Sequence, residues 1–169
     1  RAVPYDVPVM ALGNEGTVNT LRLWNAEALD EFDLDAFNRG DFLQALKPQS
    51  QFNAISYVLY PNDNNAEGRK LRLMQEYFFV CAGLHSIVST YKKVHGSIQD
   101  IQEHVAIHIN DTHPALCVPE MMRILLDEEG LGWDEAWDIT VGLMSYTNHT
   151  VLPEALETWP LPLMRELLP

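Results

Sequence analysis

Basic residues are scarce in this chain. Eleven Lys and Arg stand against 24 Asp and Glu, a formal net charge of −13. Nucleic-acid phosphates are held by clustered cations, so this balance argues against that ligand class. It also disfavours a polyphosphate site built from the chain's own residues. Cysteine is nearly absent: Cys81 and Cys117 both fall within apolar helical patterns, which reads as two buried free thiols in a reducing compartment rather than a disulfide. No apolar run reaches the ~18–20 residues that a membrane-spanning helix needs, and no signal peptide is visible. A GxSxG elbow, a glycine-rich phosphate loop and a CxxC pair are all missing, as are repeats and low-complexity tracts. The opening Arg1-Ala2-Val3-Pro4 reads as the interior of a longer product.

What is present is a globular composition: 169 residues, 47% hydrophobic and 21% charged, enough for one domain with a core. Val3–Val9 is expected to be extended, with Pro4 and Pro8 confined to edge or turn positions. Gly13-Asn14-Glu15-Gly16 is a turn signal before an alternating stretch from Thr17 to Asn25, so a hairpin follows. Asp33 can cap a short helix that runs through Asn38 and ends near Gly40. Residues 41–59 read as helix interrupted at Pro48, which has no backbone N–H to donate. The clearest helix covers Arg69–Val94, where Leu71, Met74, Phe78, Cys81, Leu84, Val88 and Tyr91 recur at three- and four-residue intervals before Gly96.

Val105–Ile109 alternates as a strand and runs into Asn110-Asp111-Thr112-His113-Pro114. A helix is expected over Pro119–Glu129, stopped by Gly130, then another carrying Trp133 and Trp137. Met144–Thr147 reads as a short strand that ends in Asn148-His149-Thr150. Helical turns follow at Pro153–Glu157 and Pro162–Leu168. Strand–loop–helix thus occurs twice, the pattern of an α/β domain with parallel strands, and ligands of such sheets sit beyond the carboxyl ends of the strands. Both polar loops fall there.

Three loops, Asn62-Asp63-Asn64, Asn110-Asp111-Thr112-His113 and Asn148-His149-Thr150, concentrate amides, carboxylates and imidazoles. These groups both donate and accept and so suit a polyol, although Asn, Asp and Thr also shape turns and caps without any ligand. His104, His108 and His113 with Asp111 match no common zinc spacing, and His104 and His108 are expected on a strand. A glycosidase-type carboxylate pair from Asp63, Asp111 or Glu154 stays open. None of Lys47, Lys70, Lys92 and Lys93 lies in a pocket-like setting of the kind that lowers an amine's pKa. Met74, Phe78, Phe79, Trp133 and Trp137 are expected in the core, by their helical spacing, before any sugar-stacking role.

The loops belong to longer collinear motifs. Ala2-Val3-Pro4-Tyr5-Asp6, Asn19-Thr20-Leu21-Arg22-Leu23-Trp24, Leu59-Tyr60-Pro61-Asn62-Asp63-Asn64, Leu71–Phe78, Asn110–Pro114 and Tyr146–Glu157 occur in one order along nearly the whole chain. Together they resemble the α-glucan (glycogen, maltodextrin or starch) phosphorylases, of a bacterial or plant-like kind. The resemblance implies an internal piece of the N-terminal, Rossmann-like α/β domain of a GT-B-type glycosyltransferase. On that reading residues 1–60 hold the hairpin and tower-helix region and residues 61–169 the gate loop and sugar pocket, all within one partial domain.

The implied activity is transfer of a glucosyl unit from an α-1,4-glucan to inorganic phosphate, giving glucose 1-phosphate. The resemblance assigns the substrate 2-hydroxyl to Asn64 and the 6-hydroxyl to His149, whose backbone carbonyl would face the anomeric carbon. It also puts Asp111, His113 and Thr150 beneath the sugar, and Asn62-Asp63-Asn64 in a mobile gate. Pyridoxal phosphate is implied as cofactor, on a lysine outside this chain, as are a cytoplasmic homodimer and no metal, nucleic-acid or membrane partner. The family's regulatory segments would precede Arg1. Three departures stand out: Asn65-Ala66 replaces aromatics that form a purine-type inhibitor site in animal members, the link from His95 to Ile107 is shorter than theirs, and Pro48 falls in the tower helix. Two other readings are a non-catalytic carbohydrate-binding or regulatory module and a metal-dependent hydrolase using Asp111, His113 and His149.

Overall fold

The structure, a computed structural model, describes residues 1–13, 16–29, 32–153 and 156–169. Asn14 and Glu15 of the expected turn, and the candidate carboxylate Glu154, lie outside the described residues. The chain forms two compact units, Arg1–Gln75 and Glu76–Pro169.

In the first unit β1 (Ala2–Met10) pairs antiparallel with β2 (Val18–Ala26), in a register running from Ala2 opposite Ala26 to Met10 opposite Val18. Pro4 and Pro8 are accommodated because each strand of a two-stranded ribbon has an unpaired side. Asp6 and Arg22 are directly opposed, and the guanidinium donates to both carboxylate oxygens at 2.6 and 2.7 Å. Helix α1 (Leu34–Asn38) starts under an Asp33 side chain that accepts from the Ala36 N–H. Helix α2 (Phe42–Tyr57) begins in the same way at Asp41.

Helix α2 corrects one expectation, because it runs through Pro48 without a break. An internal proline costs roughly 3 kcal/mol through one lost hydrogen bond and a crowded carbonyl. Here the Asp41 cap and the burial of Ala45 and Ile55 hold the helix together across it. Ser56 then ties the helix to the ribbon, accepting from the Ala26 N–H and donating to Asn25 Oδ1, both at 2.9 Å.

Helix α3 (Ala66–His95) starts in the first unit and continues into the second. Gly96 ends it at φ 82°, donating its N–H to the Lys92 carbonyl, a left-handed stop that costs glycine little. The second unit continues with α4 (Ile101–His104), β3 (Ile107–Asn110), α5 (Cys117–Arg123), a π-helical stretch (Ile124–Glu128), α6 (Trp133–Leu143), β4 (Met144–Thr147) and α7 (Leu161–Leu167). Strands β3 and β4 are parallel, with Ile107 opposite Met144 and Asn110 opposite Thr147. The core of this unit gathers Leu84, Val88 and Tyr91 of α3 with Ile101, Ile109, Met121, Ile124, Leu125, Ile139 and Leu143. The fold is thus of mixed α/β class with small sheets.

Four further expectations are corrected. His104 closes α4 instead of lying on a strand, and its ring stacks on His95 with centroids 4.9 Å apart. The helix expected over Pro119–Glu129 changes to π geometry after Arg123. Trp133 and Trp137 are 64% and 45% exposed, because α6 buries the stripe Ala136, Ile139, Thr140 and Leu143 and turns the tryptophans away from it. Of the two free thiols, Cys117 is buried but Cys81 is only partly so.

Candidate functional site

The site residues follow from how β3 and β4 end. Parallel strands in register deliver their carboxyl-terminal loops side by side, and here those loops are Asn110–Pro114 and Asn148–Thr150. The ladder extends by one bond past β3, from the Asp111 N–H to the Thr147 carbonyl at 2.8 Å. Asp111 then turns left-handed, at φ 61°, a conformation that Asp tolerates better than most residues. The turn brings its carboxylate back across the loops, where Oδ1 accepts the backbone N–H of His149 at 2.7 Å.

The His149 ring is held as well. Its Nε2 lies 3.0 Å from Asn110 Oδ1. A carbonyl oxygen can only accept, so Nε2 carries a proton in this arrangement, and in the neutral ring Nδ1 then presents the lone pair. An exposed imidazole fixed by one neighbour can thus accept from a ligand hydroxyl through its other nitrogen. Thr150 shapes the exit of its loop: its N–H donates to Asn148 Oδ1 and its Oγ1 accepts from Leu152 N–H, both at 3.3 Å. Thr112 Oγ1 donates to Glu157 Oε2 at 3.3 Å. His113 sits half-buried at the start of the segment leading into α5.

Asp111, His149 and Thr150 are thereby brought together with Asn110, and His113 lies two residues from Asp111. Asn110 belongs to a loop singled out from the sequence but had no role of its own there, and Glu157 was not singled out as a site residue. The place of Asn110 explains the role it takes, since it is the last residue of β3 and directly opposes the last residue of β4. Glu157 gave no signal, because its contact with Thr112 spans 45 residues.

Asn62, Asp63 and Asn64 stand in the first unit and are exposed. Asn62 Oδ1 accepts the Asn64 N–H at 2.9 Å, and Asn65 Oδ1 accepts the Gly68 N–H at 2.8 Å at the start of α3. The loop lies so close to the helix that a Cβ on Gly68 would come 1.8 Å from the Asn62 carbonyl oxygen.

Three of the four lysines lack the setting of an amine that takes a cofactor aldehyde. Such a lysine is desolvated or pressed by a neighbouring cation, whereas Lys47 and Lys93 are exposed and Lys92 is paired with Glu129 at 2.6 Å. Lys70, on the first turns of α3, is half-buried in the first unit. Of the histidines weighed as metal ligands, His104 stacks on His95 and His108 Nε2 meets Thr147 Oγ1 at 2.8 Å. No helix among the described residues is long and apolar enough to cross a membrane.

The sequence matches the family model for carbohydrate phosphorylases over residues 1–169. It is 54% identical over 168 residues to a glycogen phosphorylase of Bacillus subtilis, covering 99% of this chain and 20% of the relative. The glycogen phosphorylase of Chlamydia pneumoniae is 49% identical over 168 residues, with the same coverage. The muscle form of glycogen phosphorylase from Mus musculus is 51% identical over 176 residues, covering 99% of this chain and 21% of the relative. The chain therefore spans about a fifth of the length of the curated relatives it matches.

Proposed function

The chain belongs to the carbohydrate phosphorylase family, and from that premise we propose that it is the sugar-holding part of an α-1,4-glucan phosphorylase. The carrying observation is the lock between Asp111 and His149, which joins two polyol-suited loops at the ends of parallel strands. The reaction moves a glucosyl unit from the glucan end to inorganic phosphate, giving glucose 1-phosphate.

In this reading the sugar lies over the Asn110–Pro114 and Asn148–Thr150 loops. His149 accepts a hydrogen bond from the 6-hydroxyl through Nδ1, while Nε2 stays anchored on Asn110. Its backbone carbonyl faces the anomeric carbon and favours the positive charge that develops there. Asp111, His113 and Thr150 line the floor. Asn62, Asp63 and Asn64 form the gate, with Asn64 on the 2-hydroxyl, and unpaired polar groups penalise analogues that lack a hydroxyl.

Strands β3 and β4 belong to the Rossmann-like layer of a GT-B N-terminal domain. Helix α2 supplies the contact between two copies of the full-length protein. Pyridoxal phosphate, whose phosphate takes part in the proton relay when bound, is held by a lysine outside this chain. The free thiols Cys81 and Cys117 fit the reducing cytoplasm.

The test uses the full-length protein and maltoheptaose with phosphate. Release of glucose 1-phosphate is expected, with kcat/KM reduced about 100-fold or more in His149→Ala and in Asn64→Ala. A full-length protein that binds the oligosaccharide yet releases no glucose 1-phosphate would leave the binding-module reading and overturn this one.

A further inference from the structure

Away from the sugar loops, α3 and α5 bring together a thiol, an imidazole and a carboxylate. Cys81 and His85 are four residues apart on α3 and so share one face. Glu120 of α5 rises against them, and the three side chains each offer a ligand-type atom within 4.8 Å of the other two. Glu120 is 3% exposed, so its charge must be met inside the protein.

Arg123 meets it. The guanidinium Nε donates to Glu120 Oε2 at 2.9 Å and Nη2 to Oε1 at 2.8 Å, while the Tyr77 hydroxyl donates to Oε2 at 3.0 Å. Nη2 also reaches Glu128 Oε1 at 2.7 Å and lies 3.4 Å from His85 Nε2. The π-helical stretch brings Glu128 onto the arginine's side, five residues on. The guanidinium thus lies against Glu120, Glu128 and His85, and the Cys81 thiol adds a hydrogen bond to Glu120. The Cys81 thiol and the His85 ring, beside this ion pair, are also the groups that a borderline divalent metal selects.

We propose that Cys81, His85 and Glu120 form a binding site for a zinc-type divalent ion, opened when Arg123 turns from Glu120 onto Glu128. The ion takes Sγ, an imidazole nitrogen and a carboxylate oxygen, with water in the fourth tetrahedral position. The thiol passes its proton to solvent as the sulfur–metal bond forms, and no electron is transferred. Glu120 exchanges one cation for another and Arg123 keeps Glu128, so neither charge is left buried alone. The bound ion ties α3 to α5.

The full chain, stripped with a chelator, is titrated with Co2+ and then with Zn2+ while absorbance and bound metal are followed. One ion per chain is expected, with a thiolate-to-cobalt charge-transfer band that zinc bleaches. Cys81→Ser should remove the band, and both Cys81→Ser and His85→Gln should weaken binding about tenfold or more. Arg123→Gln removes the competing cation and should tighten binding about tenfold. If that variant folds only with zinc present, the same preference is being read through stability. Absence of binding by the wild-type chain, a cobalt spectrum without a thiolate band, or equal affinity in Cys81→Ser overturns the proposal.

Discussion

The backbone N–H of His149 is held by the side chain of Asp111, 38 residues earlier, at 2.7 Å. Asp111 reaches it from a left-handed backbone at φ 61°, so one residue supplies both the conformation and the acceptor. Asp111→Ala loses both: the short polar side chain that makes this left-handed backbone tolerable is gone and the His149 N–H loses its partner. The expected cost is about 1–3 kcal/mol in chemical denaturation. In the full-length protein kcat/KM for phosphorolysis should fall about 100-fold. Asp111→Asn keeps an acceptor and tolerates the backbone, so it should stay within about tenfold of wild type. Equal losses in the two variants would show that the charge matters and the geometry does not.

Gly68 is required by the loop above it. An added Cβ would meet the Asn62 carbonyl oxygen at 1.8 Å and its carbon at 2.8 Å, a backbone obstacle that no rotamer change relieves. Gly68→Ala should displace Asn62–Asn64 and cost about 1–3 kcal/mol. In the full-length protein its signature should be a raised KM for glucan, since the loop carries the proposed gate. An unchanged KM would separate that loop from substrate binding.

The cross-strand Asp6–Arg22 pair sets a small acid sensitivity. The hydrogen bonds from Arg22 hold the Asp6 carboxyl below its ordinary 3.8. A carboxylate depressed in the folded state stabilises the fold above its unfolded pKa and stops doing so as pH falls through the lower folded value. Asp6→Asn should therefore lower stability slightly at pH 7 and leave it unchanged well below pH 3.8. Because the pair is exposed, the difference at pH 7 should shrink in high salt. Denaturation curves at two pH values and two ionic strengths decide it.

The lysines make a negative prediction with a direct readout. With Lys47 and Lys93 exposed and Lys92 paired to Glu129, and with the cofactor lysine proposed to lie outside this chain, pyridoxal phosphate is expected to find no preferred amine here. Borohydride reduction of the 169-residue polypeptide after incubation with the cofactor should give scattered, substoichiometric adducts on peptide mapping. Stoichiometric labelling of a single lysine would overturn the assignment of the cofactor lysine to another part of the protein.

Much of the local structure was legible because it depends on near neighbours. Asp33 and Asp41 cap helices through bonds three residues long, and Gly96 stops α3 by a bond to Lys92. The two strand–loop–helix repeats announced parallel pairing, and β3 beside β4 has it. Misreadings came where packing overrides local preference. Pro48 was expected to break a helix that buried Ala45 and Ile55 hold together. Trp133 and Trp137 shared the helical spacing of a core stripe, but periodicity does not say which stripe faces inward, and α6 turns Ala136, Ile139, Thr140 and Leu143 there.

The sequence by itself determined the order of elements, the family, and the identity of the polar loops, since each is carried by contiguous residues. Tertiary structure alone decided that Asp111 would take a left-handed backbone and grip His149, that Asn110 would orient the imidazole, and that Cys81, His85 and Glu120 would meet around Arg123. Those relationships join residues about 35 to 40 positions apart. They depend on strand register and helix rotation, which burial of the core sets and no local pattern encodes. The polar loops of the proposed sugar site were therefore readable as a list of residues, and the geometry that joins two of them came from the fold.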